Sequence, residues 1–194
     1  EEIEGFKNEK TAALKKLKSE KLYLNAAAGV LQNKIESLNK TFLDLLREPQ
    51  NKIPFTRNVT EYKGLMAMPT EGRIVRTFGK GMASPLSPKI LISHTGWDIA
   101  ASYGQKVKSI FDGEIAFAKR FQGYGNLVII DHGQEIYSLY AHLSEILVQD
   151  GQRILESDTI GHVGDTGSLE GAFLYFEIRK SGNPVDPAPW IKWD

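Results

Sequence analysis

The spacing of hydrophobic residues changes near residue 50. In the first 47 residues, apolar side chains recur in alternating steps of three and four, which predicts a helix with a coiled-coil-like stripe. Lys7, Lys10 and Lys21 interrupt this stripe near its start. A continuous helix of this length would extend about 70 Å, so it would protrude, fold back or pair with another chain. The apolar positions of the stripe are Ile3, Leu14, Leu17, Leu24, Ala28, Leu31, Ile35, Leu38, Phe42 and Leu45.

The segment 25–29 is the predicted break in this helix. Gly29 weakens a helix, and Asn25 can cap a new one. Two interpretations of the helical segment stay open at this point. It is either a spacer or dimerisation helix, or a regulatory helix that lies on the rest of the chain.

From Pro69 onward the apolar pattern is that of short β-strands. Runs such as RIVRTF, WDIAA, EIAFAKRF and NLVIID are separated by glycine-rich turns at intervals of about 8 to 12 residues, without intervening helices. Residues 48–68, with Pro49 and Pro54, have no clear period. The sequence therefore predicts a helical segment at 1–50, a linker at 51–68 that becomes ordered on the second part of the chain, and a mainly β domain at 69–194. The expected fold class is an antiparallel β sandwich or open barrel.

The stretch GAFLYFEIRKSGNPVDP at 171–187 alternates strictly. Leu174, Phe176 and Ile178 fall on one side of an extended chain, as a normal core face. The other side carries the aromatic side chains of Phe173 and Tyr175, followed by a carboxylate and the guanidinium of Arg179. We interpret this second side as a face that the core does not need, which makes its aromatic rings candidates for binding.

Composition excludes several classes of function. Lys plus Arg and Asp plus Glu both number 24, so the net charge gives no reason to expect nucleic acid as a partner. There is no cysteine, hence no disulfide, thiolate metal site or cysteine nucleophile. No run of about 18 apolar residues exists for a membrane-spanning helix. The chain begins EEIEGF, without Met or an apolar leader, and we expect it to be a processed piece of a longer protein.

The histidines are the main candidates for chemistry. His94 and Asp98 are spaced so that both side chains lie on one face of an extended segment, as two zinc ligands or as a hydrogen-bonded pair would. His142 shares a predicted strand face with Tyr140. His132 and His162 are expected in turns or at the surface. GDTGS at 164–168 lacks the lysine of a phosphate-binding loop and is interpreted as a hairpin turn.

The motifs that run through the β domain in order resemble one family. HTGWDIA, QGYGN, YAHLS, GDTG and FLYFEIR followed by GNPVDP are similar to the LytM-type (lysostaphin-like) zinc metallopeptidase domain of bacterial cell-wall enzymes. The resemblance implies that His94 and Asp98 correspond to zinc ligands and His142 to a catalytic histidine. At the H-x-H motif, which supplies a catalytic histidine and a further zinc ligand, this chain has Phe173 and Tyr175.

The resemblance therefore implies a degenerate domain that is not an enzyme and needs no cofactor. Catalytic zinc normally has three protein ligands and an open position. Phenylalanine offers no ligand atom and no transferable proton, and a neutral phenol is a poor substitute for imidazole. Glu177 and His142 are candidates to replace a lost ligand by rearrangement. His94 and Asp98 are interpreted as remnant ligands.

The degenerate motif, the end of the chain and the predicted coiled coil resemble the EnvC-type murein hydrolase activators. This resemblance implies an activator of N-acetylmuramoyl-L-alanine amidases in septum splitting, in the periplasm of a Gram-negative bacterium. The implied partners are a periplasmic amidase, an FtsEX-type membrane complex bound by the coiled coil, and peptidoglycan. The expected amidase-binding groove comprises Tyr124, Tyr140, His142, Phe173, Tyr175 and Arg179.

An amidase-binding groove of this kind has two consequences. Tyr175→Ala and Arg179→Ala should abolish activation with the melting temperature nearly unchanged. A segment within residues 25–50 should cover the groove until a membrane partner removes it. The alternatives to an activator are a zinc-dependent peptidoglycan endopeptidase and a peptidoglycan-binding scaffold.

Overall fold

A computed structural model describes residues 2–47, 57–79, 82–84, 87–92, 94–168 and 170–193. Helix α1, Glu2–Arg47, is one continuous helix. The predicted break at 25–29 is therefore wrong. A glycine costs a helix only about 1 kcal/mol relative to alanine, and the alanines before Gly29 are strong helix formers.

The apolar stripe of α1 has two different environments. Leu14 and Leu17 are 50% and 61% exposed, whereas Leu38 and Phe42 are 0% and 1% exposed. The buried pair packs against the β domain. The side chains of Ile3, Leu24, Ala28, Leu31, Ile35 and Leu45 lie outside the described residues.

The described part of the predicted linker is packed on the β domain. Residues 48–56, with Pro49 and Pro54, lie outside the described ranges. A short 3₁₀ helix at Val59–Tyr62 follows them, and the side chain of Asn58 caps it by accepting from Thr60 N at 3.1 Å. Val59 and Met66 are buried in the core, so the packed domain begins about ten residues before Pro69.

The remaining elements are β-strands, and the described pairings between them are antiparallel. The strands are β1 Arg73–Arg76, β2 Met82–Ser84, β3 Ser87–Ile92, β4 Trp97–Ala100, β5 Lys106–Lys108, β6 Gly113–Phe121, β7 Gly125–Asp131, β8 Ile136–Ile146, β9 Arg153–Ile154, β10 Thr159–Val163, β11 Leu174–Lys180 and β12 Asn183–Val185. Ten of them form one sheet along the path β1-β4-β11-β8-β7-β6-β9, with β10 paired to β5 and β8, and β12 paired to β11.

The mainly β, antiparallel fold class expected from the sequence is confirmed, and a long N-terminal helix is present. The strand pair β2–β3, a separate two-stranded sheet, was not predicted. Its sequence, MASPLSPKILI, contains two prolines and no alternation of apolar and polar residues.

Both faces of the sheet are covered along β11, which lies between β4 and β8. One face packs on the main core, whose members include Trp97, Tyr140, Leu174, Phe176 and Ile178. The opposite face forms a second cluster, which we call the helix-facing layer. Its buried members are Leu38 and Phe42 of α1 with Tyr124, Leu127, Ile129, Tyr137, Leu139, Ala141 and Tyr175 of the sheet.

No helix within the described ranges is both long enough and apolar enough to span a bilayer.

Candidate functional site

The second side of β11 is buried. Tyr175, Glu177 and Arg179 are 6%, 0% and 2% exposed. The alternation predicted for FLYFEIR is confirmed, because Leu174, Phe176 and Ile178 lie in the main core while Tyr175 lies in the helix-facing layer. The interpretation of this second side as a face unneeded by the core is wrong. Helix α1, distant in sequence, packs over it.

Glu177 is the centre of a buried polar network on this side. Its carboxylate accepts hydrogen bonds from the Tyr175 hydroxyl and from Arg179 Nε. Thr95 Oγ1 lies 2.8 Å from the Tyr175 hydroxyl and donates to Glu177 Oε2 at 3.1 Å. Burial, and then the charge of Glu177, raise the pKa of Tyr175 well above its usual value. The phenol is therefore neutral, and its proton is committed to Glu177.

Residues of helix α1 complete this network on the side of Arg179 that faces the helix. Arg179 Nη1 donates to Asn39 Oδ1 at 2.9 Å, and the guanidinium lies 4.4 Å from the centroid of the Phe42 ring. Phe42 also meets Tyr137 edge-on, with ring centroids 5.4 Å apart. A cleft of about 320 Å³ remains between the helix and the sheet. It is lined by Asn39, Phe42, Thr95, Tyr124, Arg179, Ser181, Gly182, Asn183 and Pro184.

Other aromatic rings surround Tyr175. Its ring centroid is 5.5 Å from that of Tyr124, 5.7 Å from His94 and 6.4 Å from His142. Phe173 lies 4.7 Å from the His142 ring. The structure thus brings together five of the sequence-predicted site residues, and Arg179 joins them through Glu177. Burial and the nearby charge of Glu177 raise the pKa of Tyr124 above its usual value.

Tyr140 does not belong to this cluster, and its assignment to the groove is wrong. It is fully buried in the main core, where its hydroxyl accepts from Ile110 N at 3.1 Å and from Ser138 Oγ at 3.0 Å. Burial raises the pKa of Tyr140 to about 12. Strict alternation along β8 predicts that Tyr140 and His142 lie on the same face.

A bulge in β8 explains the error. Asn126 of β7 pairs with Leu143 but Val128 pairs with Tyr140, so β8 carries one residue more than β7 over this stretch. His142 adopts φ 64°, in the left-handed region. A bulge of this kind reverses the alternation of side chains. It leaves Tyr140 in the core and turns His142, whose Nδ1 is 2.8 Å from Thr166 O, towards Phe173.

His94 and Asp98, which the sequence predicts to be remnant ligands, also meet. His94 Nε2 lies 3.3 Å from Asp98 Oδ1, within ion-pair distance but without hydrogen-bond geometry. Asp98 is 2% exposed, and its Oδ2 accepts from Arg76 Nε. Burial acts to raise the pKa of Asp98, but His94 and Arg76 outweigh it, and the pKa lies below its usual value.

The donor set does not fit a catalytic zinc ion. His94 Nε2 and Asp98 Oδ1 converge, but the third position offers the Tyr175 hydroxyl, which donates to Glu177. Glu177 itself is held by Tyr175 and Arg179, so it is not placed to replace a ligand. Among the described residues, no group of three His, Cys, Asp or Glu side chains could hold a metal ion.

His132 lies in the connection between β7 and β8, as expected for a turn residue, but it is fully buried and not at the surface. Its ring nitrogens lie 2.7 Å from Asp112 O and 2.7 Å from Ser138 Oγ. Burial lowers the pKa of His132 to about 4. His162 does lie near the surface, with Nδ1 2.8 Å from Glu145 Oε1.

Sequence reasoning missed Arg76, Thr95 and the helix residue Asn39. Arg76 could have been suspected, since it is a charged residue in an otherwise strand-like run, RIVRTF. Nothing local to Thr95 or Asn39 signals that either reaches the second side of β11, because both contacts span more than 80 residues of sequence.

Comparison with known proteins gives consistent findings. Residues 92–187 match the model of Peptidase family M23. Murein hydrolase activators EnvC and NlpD of Escherichia coli are 35% and 36% identical to this chain, over 66% and 63% of its length. The DD-carboxypeptidase/endopeptidase Mpg of Neisseria meningitidis is 44% identical over 48% of the chain. These alignments cover 29%, 30% and 22% of the respective relatives, so the chain spans less than a third of their length.

A solved structure from Pseudomonas aeruginosa, assigned to peptidase M23, superposes with a TM-score of 0.63 at 25% identity. The superposition covers 84% of this chain and 62% of the Pseudomonas aeruginosa chain. The family match, the relatives and the fold agree with the motifs in the β domain. Residues 92–187 therefore belong to a Peptidase family M23 domain of the LytM type.

Proposed function

We propose that this chain is a non-catalytic activator of peptidoglycan amidases of the N-acetylmuramoyl-L-alanine amidase class. The observation that carries the proposal is the state of Tyr175. It stands where the family has a metal ligand, yet its hydroxyl is committed to Glu177 and Thr95. Phe173, at the catalytic position of the same motif, has no group that transfers a proton. The two relatives named murein hydrolase activators support the same class of function.

The cleft beside Tyr175 is the proposed amidase-binding surface. Tyrosine and arginine side chains anchor many protein interfaces, because they give a large contact area for few rotatable bonds. Tyr124 and Arg179 line the cleft, and Phe173 is partly buried beside His142. The proposed setting is the periplasm of a Gram-negative bacterium. The exposed part of α1, with Leu14 and Leu17, would bind an FtsEX-type membrane complex, and peptidoglycan is a further candidate partner.

The C-terminal part of α1 is proposed to restrain this surface. Leu38 and Phe42 belong to the helix-facing layer. Phe42 contacts Tyr137 and Arg179, and the Asn39 side chain accepts a hydrogen bond from Arg179. An amidase segment could not bind the same atoms while the helix is there. A partner that pulls on the N-terminal part of α1 would shift the equilibrium towards an uncovered cleft. This interpretation favours a regulatory helix over a simple spacer.

The central experiment measures dye release from labelled sacculi in three reactions. They contain this protein with zinc, a periplasmic amidase alone, and the two together. We expect release above the amidase baseline in the mixture and none from this protein alone. Phe173→Ala, at a partly buried position, should reduce activation while the melting temperature changes little. Unchanged amidase activity in the mixture would refute the proposed function.

Restraint by the helix is tested with a pair of substitutions on α1. Phe42→Ala removes the contacts to Tyr137 and Arg179, whereas Leu22→Ala alters a position that is 72% exposed. Phe42→Ala and removal of residues 1–50 should each raise activation, and Leu22→Ala should not. If the shortened protein activates no better than the intact chain, the helix does not restrain the cleft.

A second function is favoured by one relative. Mpg is named a DD-carboxypeptidase/endopeptidase, and His94, Asp98 and His142 are retained here. A zinc-dependent peptidoglycan endopeptidase would release dye without amidase, and a chelator would abolish the release. The third class, a peptidoglycan-binding scaffold, would be retained on purified sacculi but would neither release dye nor capture amidase.

A further inference from the structure

Arg76 lies beside the His94–Asp98 pair, at the position that the sequence predicts to be a remnant metal site. It is directly opposite Asp98 in the pairing of β1 with β4, and Asp98 is directly opposite Tyr175 in the pairing of β4 with β11. Residues directly opposite one another in adjacent strands project to the same side of a sheet. Arg76, Asp98 and Tyr175 therefore form a row across three strands, on the side that carries the candidate site.

A bulge places Arg76 in this row. Ile74 pairs with Ile99, a main-core residue, and the register then shifts so that Arg76 pairs with Asp98. Without the shift, Arg76 would follow Ile74 by two residues and project towards the core. The local backbone thus turns a guanidinium from the core side to the Asp98 side. The direction of the Arg76 side chain is therefore set by the strand register and not by the flexibility of a long surface side chain.

The contacts of Arg76 place a positive charge beside Asp98, where a bound metal ion would also place one. Its Nε donates to Asp98 Oδ2, and its Nη1 and Nη2 lie 3.1 Å and 2.7 Å from the two carboxylate oxygens of Glu170. The guanidinium carbon is 5.6 Å from the centroid of the Phe173 ring. The side chain of Arg76 is 22% exposed and that of Asp98 is 3% exposed. A buried carboxylate needs a positive partner, and here the chain itself provides it.

We propose that Arg76 is a built-in cation that takes the place of the metal ion at the His94–Asp98 pair. It is a positioning residue, which holds Asp98 and braces Phe173 so that the cleft keeps its shape without zinc. It also opposes zinc binding, because a dication on Asp98 Oδ1 would lie beside a guanidinium on Oδ2 of the same carboxylate. Loss of the H-x-H motif and the presence of Arg76 are then two separate obstacles to metal binding.

The decisive test removes one obstacle at a time in the full chain. Phe173→His with Tyr175→His rebuilds the H-x-H motif, and Arg76→Met is added to a second copy of that variant. Zinc sulfate binding is measured by titration calorimetry and by metal content after dialysis. We expect the variant with Arg76→Met to bind zinc about tenfold or more tightly than the variant that keeps Arg76. Equal zinc affinity in the two proteins would overturn the proposal.

Two controls separate this role from general effects. Arg73→Met in the same His-containing background removes a positive charge from an exposed position of the same strand, and it should not improve zinc binding. Arg76→Lys keeps a cation at the site and should leave zinc binding weak. Improvement by Arg73→Met to the same extent as by Arg76→Met would show an effect of net charge, which contradicts a specific site.

A measurement on the unaltered chain covers the case in which the His-containing variants do not fold. The Nε–H proton of Arg76, bonded to Asp98, should give a slowly exchanging NMR signal that Arg76→Lys removes. Equimolar zinc should leave the position of this signal unchanged. A fast-exchanging signal, or one that zinc shifts, would show that the guanidinium does not occupy the site.

Discussion

The two faces of strand β11 are equally buried but are held in different ways. Leu174, Phe176 and Ile178 lie in an apolar core built from the β domain itself. Tyr175, Glu177 and Arg179 are satisfied by hydrogen bonds and by a helix more than 130 residues earlier in the chain. The first face is stabilised mainly by removal of apolar area from water, and the second by mutual satisfaction of charges that could not be buried singly. The proposed restraint by α1 requires that the second face be uncovered without loss of the core.

The largest effect is expected on the apolar face. Phe176→Ala should lower the free energy of unfolding by about 4 kcal/mol, because a fully buried ring that contacts Trp97 and Tyr140 leaves a cavity. Urea denaturation measures the loss. Leu65→Ala, at a position 61% exposed, is the control and should change stability by less than about 0.5 kcal/mol. A loss no larger than that of the control would mean that the ring is not packed as described.

On the polar face, a substitution should lower the free energy of unfolding slightly less, and a second substitution should restore much of it. Arg179→Met leaves the Glu177 carboxylate buried without its cation, and the cost should be about 3 kcal/mol. This replaces the expectation from sequence that changes at Arg179 leave the melting temperature unchanged. Adding Glu177→Gln should restore much of the lost stability in the same urea assay. Additive losses in the double variant would show that the two side chains are not paired in solution.

His132, a polar residue buried beside the main core, should make stability depend on pH. His132 is neutral when folded, with a pKa of about 4, but binds a proton near pH 6.5 when unfolded. The contribution is complete above pH 6.5 and is lost as the pH falls towards 4, with a total of about 3 kcal/mol. Urea denaturation between pH 7 and 5 measures the slope. His132→Asn should flatten this slope, and an unchanged slope would assign it to other groups.

The smallest effect on the domain is expected where the helix meets the sheet. Phe42→Ala should lower the unfolding free energy of the β domain by less than about 1 kcal/mol, because detachment of α1 leaves the core intact. Amide hydrogen exchange in residues 36–44 should accelerate, while that of β11 should stay slow. Leu22→Ala should change neither. Global unfolding caused by Phe42→Ala would make α1 an integral part of the domain core.

Much of this architecture can be predicted from local sequence. The period of three and four before residue 47 predicts α1, and the glycine-separated runs predict the strands, because side-chain periodicity reflects local backbone geometry. The failures are also physical. Asn25 and Gly29 predict a helix break, but the free-energy cost of keeping them helical is small enough for one long helix to continue through them. The strands β2 and β3 show no alternation of apolar and polar residues that could have predicted them.

The candidate site was predictable in its types of residue but not in its exact membership. His94, Asp98, Phe173 and Tyr175 were singled out by motif, and they do come together. Tyr140 was misplaced and Arg76 was missed for one reason. Bulges in β8 and β1 reverse the alternation near His142 and near Arg76, and a bulge is defined by pairing with another strand.

The sequence by itself determined most of the elements, the core side of β11 and the presence of Phe173 and Tyr175 in the segment that resembles the H-x-H motif. These depend on residue identity and on periods set by local backbone geometry. The tertiary structure alone decided that Arg76 faces Asp98, that Thr95 donates to Glu177, and that Leu38 and Phe42 pack on the sheet while Leu14 and Leu17 stay exposed. These are contacts between segments far apart in the chain. Their positions depend on register and packing, which no local pattern encodes.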